Sequence, residues 1–138
     1  GHGFTYSGHP IACAAALATL DLIEGQNFVT RVAEDVGPYL QSKWKELEDH
    51  PIVGHVRGIG MLGSIELVRD KNTRERLESD QKSGGICREF CIKNNLIMRA
   101  VGDSMIISPP FVCSHGDIDL LIERAKKSLD QTAAYYSV

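Results

Sequence analysis

The spacing of apolar residues changes character twice along these 138 residues. Residues 10–24, PIACAAALATLDLIE, begin with Pro10 at a favoured first helical position and stop at Gly25, which predicts a helix. That helix is apolar on nearly every side, so it calls for burial all round, more than a small domain supplies. It is expected to pack against chain beyond this sequence, either upstream residues or a second subunit. Val29, Val32, Val36, Leu40 and Leu47 then recur at helical spacing towards Glu48. Asn27 is placed to cap this second helix, and Gly37-Pro38 to kink it or split it in two.

After His50-Pro51 the period falls towards two. IVGHVRG and MLGSIELV read as short strands, the second with Met61, Gly63, Ile65 and Leu67 on one face and Leu62, Ser64, Glu66 and Val68 on the other. Residues 70–83 are almost wholly polar and read as a solvated excursion or mobile loop. A helix over 84–94 follows, its buried side formed by Ile86, Cys87, Phe90 and Cys91. NLIMR and SMIIS read as an antiparallel pair joined through residues 100–103, and Pro109-Pro110 ends the second strand, with either peptide free to be cis. Ser114 and Asp117 have the spacing of a capping box, and Ile118, Leu121, Ile122, Ala125 and Leu129 draw the stripe of a last amphipathic helix. The elements predict an α/β (α+β) fold in which helices cover a small, mainly antiparallel sheet.

Gly58, Gly60 and Gly63 match the G-x-G-x-x-G spacing that cradles a dinucleotide pyrophosphate. That fingerprint needs a helix after the glycines, because the helix N-terminus supplies the phosphate donors. A strand follows instead, so the glycines are read as serving a tight turn or bulge.

Composition narrows the classes further. With 15 basic and 18 acidic residues the net charge is -3, which gives no footprint for nucleic acid or an anionic membrane. No stretch has the roughly 18 apolar residues a spanning helix needs, and the first residues lack the basic, then apolar, then small-residue order of a signal peptide. Cys13, Cys87, Cys91 and Cys113 are scattered through regular structure, which points to a reducing, cytoplasmic setting. A start on Gly1 rather than Met suggests a piece of a longer protein.

Candidate chemistry concentrates in HGFTYSGHP, residues 2–10, a hydroxyl-rich loop entering a helix. Such a loop either satisfies the helix end itself or donates to a phosphate, helped by the helix dipole. Arg99 precedes a Gly-Asp turn, where its planar fork either pairs with a substrate carboxylate or is solvated. Cys87 and Cys91 lack further ligands at metal spacing, and His2 and His9 lack partners. Arg57 reads as structural.

Three segments, GFTYSGHPIACAAALATLDLIE, HPIVGHVRGIGMLGSIELV and NLIMRAVGDSMIISPPFV, closely resemble, in the same order, the C-terminal segment of class III, fold-type I, pyridoxal-5'-phosphate-dependent aminotransferases. Within that family they look most like the ω-amino acid:pyruvate branch, which includes β-alanine, putrescine and amine transaminases. The resemblance implies a homodimer in which Thr5, with Phe4 beside it, contacts the cofactor phosphate held mainly by the partner subunit. It implies that Arg99 binds the carboxylate of pyruvate or an amino acid. It also divides the chain into an interface loop and connecting helix, residues 1–24, and a C-terminal small domain, residues 25–138.

The family places its Schiff-base lysine, its pyridine-binding carboxylate and its ring-stacking aromatic upstream of this segment. The seven lysines present, at 43, 45, 71, 82, 93, 126 and 127, all fall on polar helix faces or loops. The chain alone is therefore expected to be inactive. A non-catalytic binding or dimerisation module with the same subdomain fold is the rival reading, and a class III enzyme of another reaction type is a third.

Overall fold

The computed structural model describes residues 3–80 and 82–138, so His2 lies outside the described residues. Helix α1 spans Pro10–Gly25, with Pro10 in its first turn. A second helical stretch runs from Phe28 to Asp49 in four pieces: α2 (Phe28–Arg31), a π turn (Val32–Val36), α3 (Gly37–Lys45) and a 3₁₀ turn (Glu46–Asp49). Strands β1 (Val53–Ile59) and β2 (Leu62–Leu67) form a hairpin, followed by α4 (Ser83–Lys93). A second hairpin, β3 (Arg99–Val101) and β4 (Ser104–Ile107), leads to the long α5 (His115–Tyr136). The four strands are antiparallel throughout, in the order β1-β2-β4-β3.

The expected kink at Gly37-Pro38 takes the form of the π turn just before it. Pro38 has no N–H to donate to the carbonyl of Glu34, and the helix absorbs that loss by widening, with the Gly37 N–H reaching back to the Val32 carbonyl. A Cβ on Gly37 would lie 2.1 Å from that carbonyl, so only glycine fits. Asn27 occupies the N-cap position without capping through its side chain; its backbone is left-handed at φ 56°.

One face of the sheet meets α3 and α4, and α5 packs against both helices. Val36, Leu40, Trp44 and Leu47 pack with Val56, Ile65, Leu67, Met105 and Ile107, closed by Ile118, Ile122, Ala125 and Leu129 of α5. Met61, Gly63, Ile65 and Leu67 are buried, as the alternation predicts, and Val68 just beyond β2 is buried too. On α4 the cysteines are buried, whereas Ile86 and Phe90 are only half-buried, because Ser83 and Gly84 take the inner positions at the helix start. Ser128 and Thr132 are fully buried and return their hydroxyls to carbonyls four residues earlier, each at 2.7 Å.

Gly60 has φ +54°, the left-handed value a two-residue hairpin turn requires at its first position. No helix follows Gly63. The Gln41 amide donates to the carbonyls of Gly60 at 2.9 Å and Leu62 at 3.0 Å, locking the turn onto α3. In the second hairpin the turn is shorter than expected. Val101 pairs with Ser104, leaving only Gly102 and Asp103 to connect the strands, because Ala100 is drawn into pairing with Met105.

The polar 70–83 stretch is pinned rather than loose over its described residues. The Asp70 carboxylate accepts from the N–H groups of Asn72 and Thr73, and Leu77 is buried. Helix α1 differs most from expectation: none of its residues is buried, Ile23 is half-buried and the rest are exposed. Among the described residues it leans chiefly on the short α2, so these residues do not supply the all-round burial its composition calls for. Among the described residues no helix is long and apolar enough to cross a membrane, and no peptide bond is cis.

Candidate functional site

Phe4 and Thr5 lie in a tight turn before α1. The Phe4 N–H donates to the Ser7 hydroxyl and the Ser7 N–H donates back to the Phe4 carbonyl, both at 2.9 Å. Tyr6 and Gly8 both take φ +73°, which folds the segment back before the helix begins. The turn spends Ser7 on itself and leaves the Thr5 hydroxyl with no hydrogen bond among the described residues. His9 sits at the N-cap without a side-chain cap, so the N–H groups of Ile11 and Ala12 at the start of α1 also stay open. Phe4 is 77% exposed and Tyr6 79%. Tyr6 rests edge-on against His9, with ring centroids 5.8 Å apart.

Arg99 starts β3 rather than ending a strand, and it pairs with Ile106 of β4. It is exposed and, among the described residues, has no ion pair or hydrogen bond from its guanidinium. Beneath it, a Cβ on Gly84 would lie 2.4 Å from the Gly102 carbonyl, so α4 and the hairpin turn are in close contact. Arg88, Ile97 and Met98 line a shallow cleft with Arg99 at the sheet edge. Arg57, read as structural from sequence, is exposed on β1 and holds no partner among the described residues.

Thr5 and Phe4 therefore share one turn. No hydrogen bond, ion pair or ring contact among the described residues connects that turn to Arg99. What joins α2 to the loop after β4 is a residue sequence reasoning passed over. The Arg31 guanidinium donates to the carbonyls of Phe111 and, at 2.6 Å, Cys113, while Phe28 packs against Phe111. Its partners lie 80 and 82 residues away, beyond any local pattern.

None of the seven lysines is buried. Hydrogen bonds to Glu46 and Asp80 raise Lys43 and Lys82 above the usual lysine range, the direction opposite to a nucleophilic amine. The Cys87 thiol is also pushed well up, by its hydrogen bond to Cys91 and by burial, which keeps it protonated. Among the described residues no cluster of three metal-ligating side chains occurs.

The family profile described as aminotransferase class III matches residues 1–129. A putrescine–pyruvate aminotransferase of Pseudomonas aeruginosa is 54% identical over 133 residues, covering 96% of this chain and 29% of that protein. A diaminobutyrate–2-oxoglutarate transaminase of Halomonas elongata is 36% identical, covering 95% of this chain and 28% of that one. Among solved structures, the omega transaminase from Pseudomonas jessenii in complex with PMP superposes with a TM-score of 0.90 at 34% identity, over 99% of this chain and 30% of that one. This chain thus spans less than a third of the length of these relatives.

Proposed function

This chain belongs to the class III aminotransferases, and from that premise we propose that it is the C-terminal part of an enzyme that moves an amino group from an ω-amino acid or amine to pyruvate or a similar keto acid. The observation that carries the reading is that, among the described residues, both the Thr5 hydroxyl in a helix-entry turn and the Arg99 guanidinium at a sheet end lack a partner. Each offers donors to an anion, one suited to a phosphate and the other to a carboxylate.

Family membership implies pyridoxal 5'-phosphate, and the donors at residues 3–12 fit its phosphate. Thr5 offers a hydroxyl, Ile11 and Ala12 offer N–H groups, and no acidic side chain lies in that segment to repel it. When bound, the cofactor supplies the electron sink for amino transfer. Thr5 holds the phosphate in place, with Phe4 packed beside it. We place that phosphate in a partner subunit's site, which also gives the exposed apolar surface of α1 a counterpart in a homodimer. Arg99 orients the substrate carboxylate through a bidentate pair, and the exposed Ile97 beside it limits water around that pair. In this reading residues 1–24 form the interface element and residues 25–138 the small domain.

No buried lysine is present to bear the cofactor, so these residues bind and orient but do not transfer protons. The purified 138-residue chain should show no turnover with pyridoxal phosphate, an amine and pyruvate. In the full-length protein, Arg99→Ala should lower kcat/KM for pyruvate roughly 10- to 100-fold and leave the half-reaction of a neutral amine nearly intact. Equal losses for both substrates would make Arg99 structural. Thr5→Ala should weaken cofactor retention in dialysis, and unchanged retention would remove Thr5 from the phosphate site.

A further inference from the structure

Strand register lines up four residues across the whole sheet: Arg57 pairs with Ser64, Ser64 with Ile106, and Ile106 with Arg99. The adjacent row, Val56, Ile65, Met105 and Ala100, faces the helical core. By strand alternation the Arg57–Arg99 row therefore stands on the open face. Arg57 and Arg99 are exposed there, with Ser64 and Ile106 half-buried between them. Among the described residues neither guanidinium has a partner, and neither does the Ser64 hydroxyl. The row beyond holds His55, Glu66, Ser104 and Val101, and Glu66 forms no ion pair with either arginine.

Three strand spacings put the backbones of Arg57 and Arg99 about 14 Å apart, a separation that side chains rising side by side from one face roughly keep. A five-carbon dicarboxylate fills that gap, with its carboxyl carbons roughly 5 Å apart and each about 4 Å from a guanidinium carbon in a bidentate pair. We propose that Arg57 is a specificity-determining residue that binds the second carboxylate of a dicarboxylic keto acid whose first carboxylate is held by Arg99. Ile106 supports the methylene chain between them, and Ser64 adds a hydroxyl donor on the Arg57 side. The proposal rests on the reading of Arg99 as a carboxylate contact.

The test uses the full-length protein and two unreactive probes, glutarate and butyrate, titrated by calorimetry. Glutarate should bind at least about tenfold more tightly than butyrate, the value of one charge-assisted pair. Arg57→Gln should abolish that advantage while leaving butyrate affinity and kcat/KM for pyruvate unchanged, and Arg57→Lys should restore part of it. Glutarate binding no more tightly than butyrate in the unaltered protein overturns the proposal, without depending on any variant's folding. An equal loss for both probes in Arg57→Gln overturns it as well. Failure of the underlying reading shows differently, as butyrate binding that Arg99→Ala does not weaken.

Discussion

The Ser83 hydroxyl donates to the Asp103 carboxylate at 2.7 Å, tying the first residue of α4 to the turn of the β3–β4 hairpin. The Asp103 carbonyl accepts from the Leu67 N–H at 2.9 Å, and Arg76 lies 3.8 Å from the carboxylate. With its side chain only 10% exposed, Asp103 fixes the hairpin, and Arg99 at its start, against the helix. Asp103→Ala strands a fully buried Ser83 hydroxyl and should cost about 2 kcal/mol in denaturant unfolding. An unchanged midpoint would show that packing alone holds the hairpin.

Gly63 lies under the indole of Trp44, the single tryptophan. A Cβ there would come within 2.8 Å of Trp44 Nε1 and 2.9 Å of Ile107 Cγ1. Gly63→Ala should force the indole aside, costing about 1–3 kcal/mol. A changed tryptophan emission spectrum in the folded state would accompany the loss. An alanine variant with native emission and stability would mean the site has room to spare.

Much of this fold was written in the order of the residues. The alternation in MLGSIELV marked the buried face of β2, and Ser114 with Asp117 marked the start of α5, because each signal is complete within a few positions. What stayed hidden depends on neighbours distant in sequence. The partners of Arg31 lie on a loop after β4, and the row from Arg57 to Arg99 exists only because β4 inserts between β2 and β3. Ser128 and Thr132 lie outside the apolar stripe drawn for α5 yet are buried, since their satisfaction by the helix's own carbonyls cannot be read from polarity. The candidate site was legible only as separate residues: motif likeness picked out Phe4, Thr5 and Arg99 but gave Arg57 no functional role.

Arg31 ties α2 to the loop after β4. Arg31→Ala removes both donations to the loop after β4, and amide exchange over residues 110–113 should accelerate severalfold while the sheet amides keep their protection. Arg31→Lys can replace one of the two bonds and should fall between. Unaltered exchange would mean that Phe28 against Phe111 suffices to hold the loop.

The capping box of α5 has a pH signature. Asp117 accepts from the Ser114 N–H at 2.8 Å and from its hydroxyl at 2.7 Å, and these bonds hold its carboxyl below the usual range. A carboxyl depressed on folding adds stability that is complete above its unfolded value, about 3.9. That contribution disappears as pH falls through the lower folded value. Ser114→Ala removes the hydroxyl donor, so the Asp117 titration followed by carboxyl NMR should move up towards the unfolded value. A titration that does not move would assign the depression to the backbone donor alone.

The π turn at Val32–Val36 also acts as a phase setting. Each residue of an α-helix advances about 100° around the axis, so one extra residue in a turn rotates everything after it by that angle. Leu40, Trp44 and Leu47 reach the sheet with this offset already included. A sister sequence one residue shorter between Val29 and Gly37 would have a smoother helix, yet its tryptophan would swing off the sheet and leave Gly63 with an empty seat. Length in this segment is thus under tighter constraint than residue identity, and a gap here in a related chain would signal a repacked core.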